Sequence, residues 1–316
     1  MPTDVRAAAD GLSGSVTVHA AAKLNLSLAV LARRPDGFHE IESLMVPVSL
    51  ADTLHVRPSD VPGIRLTVGF GGALAEGPGA ALARDVPTDS RNLVVRAAEL
   101  LAREAGIERG LDIELVKQIP SGAGLGGGSS DAAAVLAAAA HVWRLDWPSE
   151  RLADIGAAIG SDVPWFFAGG AAIASGRGER IDRVHGMPPL AAVIACPPGG
   201  LSTAAVYGRC LPAASRCGDA ARLAAALAEG GLQAGLPFMV NDLEPPARSL
   251  SPEIDEVLNA LAAAGAFAPR LTGSGSACFS LAETITAAEA VAARLMSPRN
   301  GSTSPCPAVF VVRLTP

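Results

Sequence analysis

Pro120-Ser-Gly-Ala-Gly-Leu-Gly-Gly-Gly-Ser-Ser-Asp131 packs five glycines between Gly122 and Gly128, adds two hydroxyls, and runs into an alanine-rich segment. The stretch before it, Gly110-Leu-Asp-Ile-Glu-Leu-Val-Lys117, alternates apolar Leu111, Ile113 and Leu115 with polar Asp112 and Glu114. That alternation predicts a strand with one buried face. The stretch after it, Asp131 to Trp143, predicts a helix. Strand, glycine loop and helix in that order build an anion cradle. Glycine lets the backbone adopt positive φ and come close to a ligand, and the first helical turn adds unpaired N–H groups and the positive end of its dipole. The plain alternative is a turn that only packs helix on strand, for which so many glycines and paired serines are not needed.

Gly122, Gly124 and Gly127 satisfy G-x-G-x-x-G, but a dinucleotide fold needs a second buried strand after the helix, ending in an acidic residue. Here His141-Val-Trp-Arg-Leu-Asp-Trp-Pro148 follows instead. No Gly-Lys-Ser/Thr follows the glycines either, so the P-loop reading fails as well.

At 316 residues the chain has length for about two domains and a sizeable core. Its 49% apolar and 18% charged residues make a globular composition, and no apolar run approaches the ~18 residues of a membrane helix. Met1-Pro-Thr-Asp-Val-Arg6 shows no signal peptide, so the expected location is the cytoplasm. A net charge of −6 argues against nucleic acid as a bulk partner. Cys196, Cys210, Cys217, Cys278 and Cys306 form no C-x-x-C pair, so reduced, buried thiols are expected and no metal site.

Strands are expected at Ser15–His19, Leu26–Leu31, Glu40–Val48 and Asp52–Arg57, with a turn at Pro35-Asp-Gly37 between them. Residues 69–90, rich in Gly, Ala and Pro, read as a loop, and Asn92–Ala105 reads as a helix. Ser149 is expected to cap another helix that Gly160 stops. Later strands fall at Ala191–Cys196, Cys278–Leu281 and Val309–Leu314, with helices at Ala220–Ala228, Pro252–Ala264 and Ala287–Leu295. The order of elements suggests a second, α+β domain, dividing the chain into residues 1–182 and 183–316.

Three further islands stand out. In Ala22-Lys-Leu-Asn-Leu-Ser-Leu28, Lys23 and Asn25 share one face of an otherwise apolar strand, which calls for a buried partner unless this is a solvated edge. In Gly160-Ser-Asp-Val-Pro164, Asp162 stands at the mouth of a helix that Pro164 can start; alone it reads as an ordinary N-cap. Leu271-Thr-Gly-Ser-Gly-Ser-Ala-Cys-Phe279 is a small-residue turn that either admits a ligand or only packs tightly.

Together these islands resemble the GHMP-type small-molecule kinases. Arg34-Pro-Asp-Gly-Phe-His-Glu-Ile-Glu-Ser43 and Asn241-Asp-Leu-Glu244 narrow the resemblance to the branch that phosphorylates 4-diphosphocytidyl-2-C-methyl-D-erythritol in the non-mevalonate isoprenoid route. It runs from about Ala20 to Leu281; residues 69–90 look longer than that family needs, and the tail past about 297 carries no motif.

The resemblance implies an α+β, two-domain fold: a ribosomal-protein-S5-like α/β domain that binds ATP, then a ferredoxin-like domain, with the site in the cleft between them. It implies Lys23 and Asp162 as the catalytic pair, Asp162 taking the substrate's 2-hydroxyl proton with help from Lys23. ATP would lie on Pro120, Ser121, Gly122, Ala123, Gly124, Leu125, Gly126, Gly127, Gly128, Ser129 and Ser130, with Mg²⁺ near the serines and Asn92 on the adenine side. The other substrate would meet Asn25, Phe38, His39, Thr203 and Tyr207, Phe38 replacing the Tyr often found in the family. Tyr207 also reads as a core aromatic, and His19, His55, His141 and His185 as structural or surface residues. Expected partners are these two small molecules, with no nucleic acid and no membrane, on a monomer or weak homodimer. The rival readings are a mevalonate or homoserine kinase of the same superfamily, and an ATP-binding protein without catalysis.

Overall fold

The computed structural model describes residues 14–83, 86–297 and 306–316. Residues 1–13, two residues of the 69–90 stretch and residues 298–305 lie outside the described residues.

The first sheet is organised by one long strand. After β1 (Val16–Asn25) and β2 (Ala29–Arg33), β3 runs from His39 to Ser59 without a break. On one edge it pairs antiparallel with β2 and β1; on the other it meets β5 (Gly110–Lys117) and β6 (Ala172–Gly176). β4 (Ile64–Phe70) adds parallel to β5, and β7 (Arg180–Arg183) closes the opposite side. A register shift in β1 between Ala21 and Lys23 breaks the alternation just where Lys23 must be placed.

Helices α1 (Leu93–Ala105) and α2 (Gly127–Val142) pack on this sheet, and α3 (Ser149–Ala157) packs on those two helices. Six alanines of α2 are buried, and their small side chains let the helix lie close to β1 and β3. α2 starts at Gly127, four residues earlier than the alternation of residue types predicts, so the end of the glycine loop is itself the first helical turn.

The second sheet has the order β11-β8-β10-β9, all antiparallel: β8 (Ala191–Cys196), β9 (Phe267–Leu271), β10 (Cys278–Ala282) and β11 (Ala308–Arg313). Helices α4 (Thr203–Tyr207), α5 (Asp219–Gly235), α6 (Glu244–Leu250) and α7 (Glu253–Ala263) lie between β8 and β9, and α8 (Ile285–Met296) between β10 and β11. That is the ferredoxin-like βαββαβ plan. Every residue of β8 is buried because both its faces are covered: Ala191, Val193 and Ala195 meet the helices, while Ala192, Ile194 and Cys196 join Leu24, Leu44, Val46 and Phe279 in an apolar layer shared with the first sheet.

The two expected strands Glu40–Val48 and Asp52–Arg57 are one. Ser149 opens α3 rather than capping it, since Pro148 holds the N-cap position, and the helix ends at Ala157, short of Gly160. Four of the cysteines are buried, but Cys217 is exposed. No helix among the described residues is long and apolar enough to cross a membrane.

Candidate active site between the two sheets

A cavity of about 1080 Å³ lies where the sheets meet, and the glycine loop forms one side of it. Pro120 to Ser129 all line it; Ser130 is fully buried, does not line it, and its Oγ has no hydrogen-bond partner. Gly126, the residue before α2, has φ +72°, which only glycine adopts freely, and a Cβ there would press on Lys23 Cγ at 3.0 Å. Asn92 also lines the cavity, beside Val86, Pro87 and Leu93. Its Oδ1 accepts from Val94 N at 2.9 Å and its Nδ2 donates to the Pro87 carbonyl at 2.7 Å, so the side chain caps α1 and fixes the preceding loop.

Lys23 is 4% exposed, and Asp162, also on the cavity wall, brings a carboxylate oxygen to 4.0 Å from its Nζ. Nζ also donates to Asn25 Oδ1 at 2.5 Å and to the Gly124 carbonyl at 2.9 Å. Burial lowers the Lys23 ammonium below its usual range, and Asp162 opposes that shift. Asp162 caps no helix: the short turn at Pro164–Phe167 has Val163 before it. The backbone repeats the link between strand and loop, since Lys23 N donates to the Leu125 carbonyl at 3.0 Å.

The late glycine-serine turn closes on the same spot. Thr272 Oγ1 accepts from Asn25 N at 3.0 Å, Ala277 N donates to the Ala123 carbonyl at 3.0 Å, and Gly273 and Ser274 line the cavity. Asn241 holds that turn from behind, its Nδ2 donating to the carbonyls of Leu271 and Gly273, both at 2.9 Å. The Asn-Asp-Leu-Glu run is thus a fastener, and Glu244 completes it by accepting from Leu271 N at 2.9 Å.

Away from the glycine loop the wall turns aromatic. His39 and Tyr207 stand with ring centroids 5.2 Å apart, and Phe38, half exposed, lies under the Arg177 guanidinium at 4.9 Å. Burial, helped by nearby Arg33, lowers the His39 imidazole pKa. Tyr207 both lines the cavity and packs against the core beneath it, and burial raises its phenol well above the usual range. Thr203 bonds Ser274 hydroxyl to hydroxyl at 3.0 Å. The structure therefore brings every sequence-predicted site residue except Ser130 to one cavity.

Residue-type reasoning missed Lys117, Asp131 and Asp52. The Lys117 ammonium sits between the two carboxylates, 2.7 Å from Asp131 Oδ2 and in contact with Asp52; all three are buried. Asp52 also accepts from Ile119 N at 2.8 Å, so it anchors the strand end from which the glycine loop departs. Burial pushes the Asp131 carboxyl up, with Lys117 opposing; Lys117, which burial alone would lower, is raised by Asp131 and Asp52. The available signal was a lysine ending an alternating strand and an aspartate inside an alanine-rich helix. Arg177 had no comparable signal.

Residues 92–170 match the GHMP kinases N terminal domain and residues 211–298 the GHMP kinases C terminal domain. A 4-diphosphocytidyl-2-C-methyl-D-erythritol kinase of Pelotomaculum thermopropionicum is 41% identical over 88% of this chain and 93% of its own. Its counterpart in Exiguobacterium sibiricum is 37% identical over 95% and 98%. Among solved structures, a 4-(cytidine 5'-diphospho)-2C-methyl-D-erythritol kinase superposes with TM-score 0.71 at 35% identity, covering 95% of this chain and 99% of the other. A homoserine kinase from Cytophaga hutchinsonii reaches the same TM-score at 21% identity, covering 96% of each, and shares the fold.

Proposed function

The chain belongs to the 4-diphosphocytidyl-2-C-methyl-D-erythritol kinases of the GHMP superfamily, and from that premise we propose that its central cavity transfers the γ-phosphoryl group of ATP to the 2-hydroxyl of 4-diphosphocytidyl-2-C-methyl-D-erythritol. It is an ATP-dependent small-molecule kinase. One observation carries the assignment of the site: a single cavity joins the glycine loop, the Lys23–Asp162 pair and the Phe38–His39–Tyr207 wall. The proposed division at 182/183 falls one residue inside β7 (Arg180–Arg183); the other strands of the first sheet lie before it and all those of the second sheet after it.

The roles follow from the surroundings. The loop N–H groups and the start of α2 hold the phosphates. Asp162, close to Lys23 and open to the cavity, takes the hydroxyl proton as the phosphoryl group arrives. Lys23 holds Asp162 in place by charge and supplies positive charge to the transferring group. Asn25 has its carbonyl turned to Lys23 and one N–H to Ser43, which leaves a second N–H for the substrate hydroxyl. His39 and Tyr207, in contact with each other, and Phe38 beside Arg177 form the wall on which the cytosine ring would lie.

A magnesium ion suits oxygen donors, and the cavity offers Ser129 and Asp162. No group of three or more His, Cys, Asp or Glu side chains gathers among the described residues, so the donor set fits an ion that arrives on the nucleotide with one or two protein oxygens. Bound there, Mg²⁺ would neutralise phosphate charge. The proposed setting is the cytoplasm, with the chain acting as a monomer or weak homodimer.

ADP release measured with the cytidine-linked methylerythritol, mevalonate and homoserine tests the reading. Turnover confined to the first is expected; preference for either of the others would overturn the substrate assignment.

A further inference from the structure

Ser43 lies in β3, fully buried and outside the cavity lining, and touches neither substrate in the reading above. Its hydroxyl has two partners, the Ser27 carbonyl at 2.6 Å and Asn25 Nδ2 at 2.7 Å. A carbonyl oxygen only accepts, so the Ser43 proton goes to Ser27 and a lone pair faces Asn25. Only the amide side of the carboxamide can meet a lone pair. The direction of one hydroxyl therefore decides which way Asn25 is turned, and it turns Oδ1 to Lys23. The flipped amide would set N–H groups against an ammonium and a carbonyl against lone pairs. Two hydrogen bonds would become two repulsions in a buried site, where polar mismatches cost most.

Lys23 then has its hydrogens assigned. An ammonium carries three, and the acceptors around it are Asn25 Oδ1, the Gly124 carbonyl and Asp162. With the first two held, the third is aimed at Asp162 and the cavity. We propose that Ser43 is a positioning residue for phosphoryl transfer: a one-way relay from Lys23 through Asn25 and Ser43 to the Ser27 carbonyl fixes the Asn25 carboxamide and so aims the Lys23 ammonium. The proposal rests on Lys23 belonging to the transfer centre. It transfers no atom; its effect is orientation.

Steady-state kinetics on the full-length enzyme with Ser43→Ala, Ser43→Thr, Asn25→Ala and the double alanine variant test it. Loss of one hydrogen bond to a charged centre corresponds to roughly tenfold in rate. Ser43→Ala should lower kcat by about that factor or more, with KM for ATP changed by less than about twofold, and Ser43→Thr, which keeps the hydroxyl, should recover most of it. In the Asn25→Ala background Ser43→Ala should cost nothing further, because the relay is already cut. Parental kcat in Ser43→Ala, or losses that multiply in the double variant, would overturn the relay. If Ser43→Ala does not fold, Ser43→Cys keeps the volume with a weak donor and meets the same two outcomes. Should the parent accept a different alcohol, the substrate assignment alone fails, and the cycle run on that alcohol still decides the relay.

Discussion

Asp162 and Asp131 are carboxylates on one cavity wall, and their surroundings set them different tasks. Asp162 is 40% exposed beside Lys23, where it can meet a substrate. Asp162→Asn keeps the shape and removes the base, so kcat should fall on the order of 10²-fold or more while ATP affinity, read by calorimetry, stays close to parental. Parental turnover in the folded variant would remove Asp162 from the role. Asp131 is enclosed, facing Lys117 and, across it, Asp52, and burial raises its carboxyl to about 8. A pKa raised in the folded state stabilises below the ordinary carboxylate range and loses that contribution as pH rises through the folded value. The parent's melting temperature should therefore fall relative to that of Asp131→Asn between about pH 5 and about pH 9. A difference that stays constant across that range would show that Asp131 does not titrate there.

At the scale of elements, the glycine loop and β1 act as one unit. Val at position 126 would need an unfavourable φ and would press on Lys23 Cγ, Lys23 Cε at 3.1 Å and Phe166 at 3.1 Å. Gly126→Val should therefore cost turnover as well as nucleotide: ATP binding reduced by about tenfold or more, kcat lost, and the cytidine substrate bound nearly as before in a titration. Retained ATP affinity would make the loop merely structural. Elements whose pattern is set by burial were legible in the sequence: β5 and α1 match their expected spans, and β8 reads from its apolar run. Others were silent for physical reasons. β4 is a largely exposed edge, β6 is built of small residues, β9 contains Pro269 and a positive φ at Ala268, and α6 begins Glu244-Pro-Pro. Lys23 was legible because a lysine breaks the pattern of an apolar strand; Asp162, which alone reads as an N-cap, was legible only through the resemblance. Ser43 was not, because a serine in a strand is unremarkable until its neighbours across the fold are known.

For the whole molecule, the question is what holds two sheets in register around a cavity. Leu28 N donates to the Val240 carbonyl at 2.7 Å and Asp242 N returns a bond to the Leu28 carbonyl at 2.9 Å, while Asn241 grips the late turn and Glu42 caps the start of α5 through Gly218 N and Ala220 N. Asn241→Leu strands two carbonyls and the Leu243 N–H at a cost of about 1–3 kcal/mol each, so denaturant unfolding should show a loss in that range or up to three times it. Unchanged stability would mean that water takes over these bonds. The apolar layer shared by Leu24, Val46, Ile194 and Phe279 also has a mechanical consequence. Jaws that swung open about a hinge would peel that layer apart and wet it, at about 25 cal/mol for each Å² exposed. Breathing is cheaper at the rim, where Phe38, Thr203 and Ala204 are already exposed. The traffic of substrate and product should be paced by those few lip residues moving over a rigid floor, so that release, like recognition, is governed from the cytidine end.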